Sequence, residues 1–304
     1  MIIVTLVATL ASAMVWQQWR AVQIESAERA RAQSAWVLIG ALDWARLILR
    51  EDARSGGSKA NVDDLTEPWA TPLAEARLST FLAADKDNNA TDDSGPEAFL
   101  SGIITDAQSR YDLTRLIGTD GQALKDEIAT LARLCETVGL ASSVATQISD
   151  GLNAAQATTP SDGAPLMPVT VDQLTWLGVD PAAVAALTPY VTLLPVAEPV
   201  NVNTAPREVI AAVAQVDLAT AERAVQGRPY ATLAAFTEQM PTATAAQTGF
   251  DVQTEYFEVR GRLRLADHVL EQISLVQRLK GTNQVTVVRT QRVAALDLGA
   301  PWGR

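Results

Sequence analysis

From Met1 to Trp19 the chain carries no charge, and it runs without proline into a charged, periodic stretch that opens at Arg20. At the helical rise of 1.5 Å per residue, about 19 residues reach roughly 28 Å, close to the thickness of a bilayer's hydrocarbon core. Between Ile2 and Arg50 there is a single glycine, Gly40, and no proline. The pattern therefore predicts one rod of roughly 75 Å, half in lipid and half in water. A cleaved secretory signal is the competing reading, because Ala11-Ser12-Ala13 mimics a small-residue cleavage site. The lack of a basic start and the unbroken helical pattern argue against it. Beyond the apolar part, Val37, Gly40, Ala41, Trp44, Leu47 and Ile48 recur at helical spacing, while Asp43, Arg46, Arg50 and Glu51 fall elsewhere. That stripe is expected to pack on the protein's own sheet, and Ser55-Gly56-Gly57-Ser58 to end the helix.

A loop-rich stretch follows through Pro68, Pro72 and the polar run Asp85 to Gly95. Ala98 to Asp106 reads as a strand, with β-branched Ile103 and Ile104 and with Gly102 marking a bulge or a close approach. From Gln122 to Tyr190 the period becomes helical: Leu124, Ile128, Leu131 and Leu134 form one stripe, and Val184 and Leu187 belong to a shorter helix. Thr158 to Gly163 between them has the composition of a surface loop. Thr204 is the expected N-cap of a further helical pair, with Pro206 and Glu208 in its first turn. The period then changes to two. Phe257, Val259, Leu263 and Leu265 alternate with Glu258, Arg260, Arg262 and Arg264, a strand with one wet face. Ala266-Asp267 and Gly281-Thr282-Asn283 are turns leading to two more strands, Val269 to Leu279 and Gln284 to Arg289.

The order is helix, strand, helical block, sheet, so the predicted fold class is α+β, with a helical domain inserted into a sheet domain. Its parts are the N-terminal helix 1–52 (transmembrane over 1–19), a first sheet segment 53–118, the helical insertion 119–246, the C-terminal antiparallel sheet 247–290 and a tail 291–304.

Composition narrows the partners. A hydrophobic share of 48% rules out general disorder, and a net charge of −11 repels both phosphate backbones and anionic headgroups, so nucleic acid is not expected as a partner. The lone Cys135 permits no internal disulfide and is expected to be a buried small apolar residue. No nucleophile elbow, P-loop or paired-histidine zinc motif is present, and His268 is the only histidine, beside Asp267 at a turn. The chain is expected not to be an enzyme.

Several local runs carry a resemblance: Trp44-Ala45-Arg46, Glu67-Pro68-Trp69-Ala70, Ile104 through Leu113 (ITDAQSRYDL) and Pro199 through Pro206 (PVNVNTAP). Together with the long N-terminal helix they are similar to the type II secretion minor pseudopilin K family, whose fold is pilin-like. The resemblance implies a helix lipid-facing in its first half and packed on an antiparallel sheet in its second. It implies a subunit at the tip of the pseudopilus that initiates and caps the filament for export of folded proteins across the outer membrane. Minor pseudopilins I and J would be its partners in a heterotrimeric tip complex, together with the inner-membrane assembly platform. The location implied is the inner membrane, single-pass, with a periplasmic head. The family's precursors carry a short basic leader removed by the prepilin peptidase. The chain as written shows none before Met1, which is expected to lie at or near the mature end, or else translation starts further upstream.

Three candidate sites follow. In related pilins a glutamate at mature position 5 pairs in lipid with a neighbour's terminal ammonium; with Met1 taken as the first mature residue Thr5 stands there, and a hydroxyl bonded back to its own helix needs no partner. Asp85, Asp87 and Asn89, followed by Asp92 and Asp93, space oxygens like the first half of a calcium loop. Ala90 stands where an EF-hand needs glycine and Pro96 where it needs glutamate, so the expectation is at most an irregular calcium site, which the family resemblance favours. Finally, Asn201 to Gln226 has the outline of a helix-hairpin-helix, which gives the alternative of a membrane-tethered DNA receptor. Its turn, Gln215-Val216-Asp217-Leu218, lacks the glycines that cradle phosphate and adds a negative charge.

Overall fold

The computed structural model describes residues 1–55, 62–78, 97–118, 121–157, 163–240, 249–265, 268–280, 282 and 284–293. Helix α1 (Ile2–Ser55) is continuous over 54 residues, as expected where neither proline nor a glycine pair interrupts. It is long and apolar enough to cross a membrane, and every residue from Met1 to Arg29 is exposed. The guanidinium of Arg20 lies over the Trp16 ring, 5.0 Å from its centroid. An aromatic ring beside a cation at the end of an apolar stretch is typical of a membrane–water boundary.

The second half of α1 packs on a five-stranded antiparallel sheet of order β1-β2-β7-β8-β9. Its strands are β1 (Leu73–Arg77), β2 (Ala98–Asp106), β7 (Tyr256–Leu265), β8 (His268–Arg278) and β9 (Val285–Val293). Two short parallel pairs complete the strand set: β3 (Tyr111–Asp112) with β4 (Val191–Thr192), and β5 (Val200–Asn201) with β6 (Phe250–Asp251). The three strands expected at the C-terminal end form the meander β7-β8-β9, with β9 longer than predicted. The edge strand β1 was not expected.

The face that α1 turns to the sheet is not the expected one. Ser34, Leu38, Leu42, Ala45 and Leu49 are buried, whereas Gly40, Trp44 and Leu47 are exposed and Val37, Ala41 and Ile48 are half-buried. Between Trp36 and Leu49 the helix is apolar on most of its circumference. Periodicity there does not single out one stripe, and a shift of one residue turns the face by 100°. The sheet makes the choice. Gly102 and Gly261 face each other across β2 and β7, and a Cβ on Gly261 would lie 3.4 Å from Leu38 Cδ2. The paired glycines let α1 seat Leu38 against Leu100 and Leu263, while Leu42, Ala45 and Leu49 join Trp69, Ile104, Phe257, Val259 and Val276.

The helical insertion leaves the sheet at the end of β2 and returns at β7. It contains α2 (Gly121–Thr137), α3 (Ser143–Gln156), α4 (Pro181–Leu187), α5 (Arg207–Ala214), α6 (Leu218–Gln226) and α7 (Leu233–Gln239). Its residues bury one another in a single cluster that runs from Tyr111 to Val252, so the packed unit reaches beyond the range 119–246 read from the sequence. Leu131, Leu134 and Cys135 lie at its centre, with Leu124 and Ile128 against it. The expected loop at residues 158–162, the turn at Ala266-Asp267 and residues 294–304 of the tail lie outside the described residues, as do Gly56 to Ser58.

Candidate functional site

The sheet and the insertion meet where β2 ends and β5 begins, and the meeting is polar. Val200 and Val202 lie in the insertion's core, while Asn201 turns to the sheet side and Asn203, in the turn after β5, to the backbone of Tyr230. Both asparagine side chains are nonetheless buried, and a buried amide needs partners. Asn201 Nδ2 donates to Asp106 Oδ2 at 2.9 Å and also lies 3.0 Å from the Asp63 carbonyl and from Thr254 Oγ1. Its Oδ1 accepts from Asn203 N at 2.9 Å. Asn203 in turn holds both backbone groups of Tyr230, donating Nδ2 to the carbonyl at 3.0 Å and accepting its N–H at 2.7 Å.

Asp106, the last residue of β2, is the acceptor on which these bonds converge. Oδ1 takes Gln108 N at 2.7 Å, and Oδ2 takes Thr204 Oγ1 at 2.5 Å and Thr254 Oγ1 at 2.7 Å in addition to Asn201. Burial nevertheless pushes its carboxyl up to about 6, because four neutral donors do not replace full hydration. Gln108 extends the junction, accepting Glu255 N and Tyr256 N and donating to Pro199 O. Six residues along, Asp112 anchors the return loop through Thr114 N, Leu194 N and Glu198 N, and burial raises it to about 6 as well.

On the sheet side the network continues into Asp63, which takes Thr254 N at 2.7 Å and pairs with Arg278. Arg278 also bonds Asp52 at the end of α1, 2.9 Å, and Thr254 O, 3.0 Å, with its guanidinium 4.9 Å from the Phe257 ring centroid. Beside them Glu67 Oε2 accepts Trp69 Nε1 at 2.7 Å and Asp64 N at 3.1 Å. Burial lifts Glu67 to about 7, with Asp52 and Asp63 adding to the shift. Asp52, Asp63 and Glu67 bring oxygens within 4.8 Å of one another. The positive charge they call for is supplied by the chain itself, as Arg278. The four runs singled out in the sequence thus share one region: Ala45 and Trp69 in the core under the sheet, and the ITDAQSRYDL and PVNVNTAP runs in the joint.

The other expected residues fall elsewhere. Thr5 Oγ1 donates to Ile2 O within its own helix at 2.8 Å. Asp85, Asp87, Asn89, Asp92 and Asp93 lie outside the described residues. Thr204 is not the N-cap. Its hydroxyl is committed to Asp106, and Pro206 holds the cap position of α5. In the α5–α6 hairpin Gln215 adopts a left-handed φ of 58°, and Asp217 caps α6 by accepting Thr220 N at 2.9 Å. A carboxylate therefore already occupies the helix N-terminus at which a DNA phosphate would have to bind. Of the alternating arginines on β7, Arg264 pairs with Glu75 and lies 4.0 Å from the Phe99 centroid, and Arg260 pairs with Glu271.

Two stretches of the chain, residues 109–196 and 200–260, match the family models described as "Type II secretion system (T2SS), protein K". Over both stretches the chain is similar to the type II secretion protein K family. Protein K of Pseudomonas aeruginosa PAO1 is 27% identical over an alignment of 327 positions, which covers 98% of this chain and 90% of that relative. A chain in the crystal structure of the GspK-GspI-GspJ complex from enterotoxigenic Escherichia coli shares the fold. Its TM-score is 0.67 at 18% identity, with 88% of this chain and 99% of that one covered. Protein K is a component of the secretion machinery, a minor pseudopilin, and both matched family stretches fall on the insertion and its return to the sheet. The joint therefore sits where the two stretches characteristic of protein K are tied to the pilin-like part of the fold.

Proposed function

We propose that this chain is the tip subunit of a type II secretion pseudopilus. It acts there without catalysis, as the piece that initiates and caps the filament, and it is held in the inner membrane by the first part of α1 with its head in the periplasm. The observation that carries the reading is the helical insertion, a cluster packed from Tyr111 to Val252 on top of a pilin-like sheet. A body of that size, a domain in itself, clashes with its own copies in a closely wound helical filament and fits at an end. Thr5 supports the same placement: its hydroxyl is satisfied within the helix, so the subunit needs no neighbour above it. The related chain of the Escherichia coli complex was solved together with GspI and GspJ, and we infer that minor pseudopilins I and J are the partners here.

The test is co-purification of the full chain with full-length minor pseudopilins I and J in detergent, followed by light scattering after size exclusion, with calcium and with chelator. A 1:1:1 species is expected. A chain that elutes alone under both conditions would overturn the tip reading. Dependence of the species on calcium would support a cation site in the Asp85–Asp93 run.

A further inference from the structure

At the joint carboxylates drawn from separate elements outnumber the cations beside them among the described residues. Asp52 comes from α1, Asp63, Asp64 and Glu67 from the segment before β1, Asp106 from β2 and Asp251 from β6; Arg278 on β8 pairs with Asp52 and Asp63, and Lys280 just beyond β8 lies 4.0 Å from Asp251 and 3.0 Å from Glu255. The hydrogen bonds of Arg278 go to Asp52, Asp63 and Thr254 O. Asp106, which is 2% exposed, is held by neutral donors alone: Gln108 N, Asn201 Nδ2, Thr204 Oγ1 and Thr254 Oγ1. Two of these four are hydroxyls, which rotate. Thr204 Oγ1 also lies 3.4 Å from Asn201 O. When a solvent proton is added to Asp106 Oδ2, its new O–H donates to Thr204 Oγ1, and the threonine's own hydrogen turns to Asn201 O. The same heavy atoms thus support two hydrogen-bond patterns that differ by one proton.

We propose that this joint is a proton-responsive coupling between the sheet and the helical insertion, tighter with a proton on Asp106 than without one. A buried carboxylate without a cation partner is costly, whereas in the unfolded chain it is hydrated, so neutralising it favours the closed joint. Burial places Asp106 at about 6, and the Glu67 carboxyl beside Asp52 and Asp63 at about 7. Because the folded values lie above the unfolded ones, the stabilising effect is complete below pH ~4 and is lost as pH rises through the folded values. Acid therefore tightens this joint where it loosens an ordinary salt bridge.

The experiment uses the full chain in detergent micelles at about pH 4.5 and about pH 7, on either side of the window between the unfolded and folded values. Thermal midpoints and amide exchange at Gln108, Asn203, Tyr230 and Thr254, corrected for the intrinsic pH dependence of exchange, are the readouts. The wild type is expected to melt roughly 2–4 °C higher at the lower pH, with those four amides exchanging several-fold more slowly. Asp106→Asn, which presents an acceptor and a donor where the protonated acid would, should remove a resolvable part of the difference, the other buried carboxyls such as Glu67 and Asp112 keeping the rest. Equal midpoints and exchange rates in the wild type, or the full difference retained in Asp106→Asn, would overturn the proposal. Should that variant fail to fold, carbon-13 carboxyl resonances of the wild type decide: an Asp106 inflection near 6 supports the coupling, and one near the ordinary value of about 4 overturns it.

Discussion

Asn201 uses every polar atom of its side chain, and no part of it reaches solvent. Asn201→Ala removes a donor from the buried charge on Asp106 and leaves Asn203 N without its acceptor, a combination expected to cost about 2–4 kcal/mol. Urea unfolding should show it as a lower midpoint at unchanged slope, and a loss below about 1 kcal/mol would mean that water takes over both roles. Glu67 makes the complementary prediction. Burial lifts it to about 7 while its Oε2 serves Trp69 and Asp64 N, and a glutamine oxygen accepts both bonds without the charge. Glu67→Gln should therefore raise the melting temperature at about pH 8 and leave it nearly unchanged below about pH 4, where the carboxyl is neutral in both the folded and the unfolded chain. The opposite order would show the carboxylate to be held by attraction. Little of this was legible in the residues themselves. The PVNVNTAP run stood out as a motif, but Asp106 and Asp63 stand 95 and 138 positions from Asn201, and neither Thr254 nor Arg278 carries a local signal. Thr204 was misread for the same reason: a capping residue and a residue that donates to a distant carboxylate look alike until the carboxylate is in view.

Among the elements, two helices test how packing overrides propensity. Gly151 lies inside α3, where alanine usually gains about 0.5–1 kcal/mol over glycine. A Cβ there would stand 2.8 Å from Leu177 Cβ, and overpacking of that kind costs about 1–3 kcal/mol. Gly151→Ala should thus destabilise the insertion, as differential scanning calorimetry of the purified chain would show. A stabilised variant would mean that the 171–177 turn moves aside freely. The α5–α6 link behaves in reverse. Gln215 is held at φ 58° with an exposed side chain, so Gln215→Gly relieves about 1 kcal/mol of left-handed strain and removes no buried contact. It should melt higher. The sheet was the most legible part of the fold, because a half-buried strand writes its two faces into alternate residues: β2 runs from Ala98 to Asp106 as the pattern gave it. Helix α1 was legible in length and not in facing, since eleven of the fourteen residues from Trp36 to Leu49 are apolar or aromatic and only the Gly102–Gly261 seam fixes its rotation.

For the molecule as a whole the decisive contrast is between a head tied together by a buried joint and a helix that, among the described residues, is exposed from its start to Arg29. Residues 1–29 of α1 bury nothing within the subunit, so whatever this segment contributes it contributes through lipid and through other helices. Position 5 is where the two meet. The Thr5 hydroxyl returns to Ile2 O and leaves no polar group seeking a partner. A glutamate there would put a carboxylate into an uncharged stretch, where central acidic residues cost about 2.5–3.5 kcal/mol and less near an end, and where pilin-like subunits relieve the cost with the terminal ammonium of the subunit above. If this chain has no subunit above it, Thr5→Glu creates the demand without the partner. The head, which α1 first enters at the buried Ser34, should melt as in the wild type, while complementation of a deletion strain should show reduced secretion and less of the chain recovered with minor pseudopilins I and J. Undiminished secretion from the glutamate variant would mean that position 5 is free to find a partner, and the size of the insertion would then have to carry the placement at the tip alone.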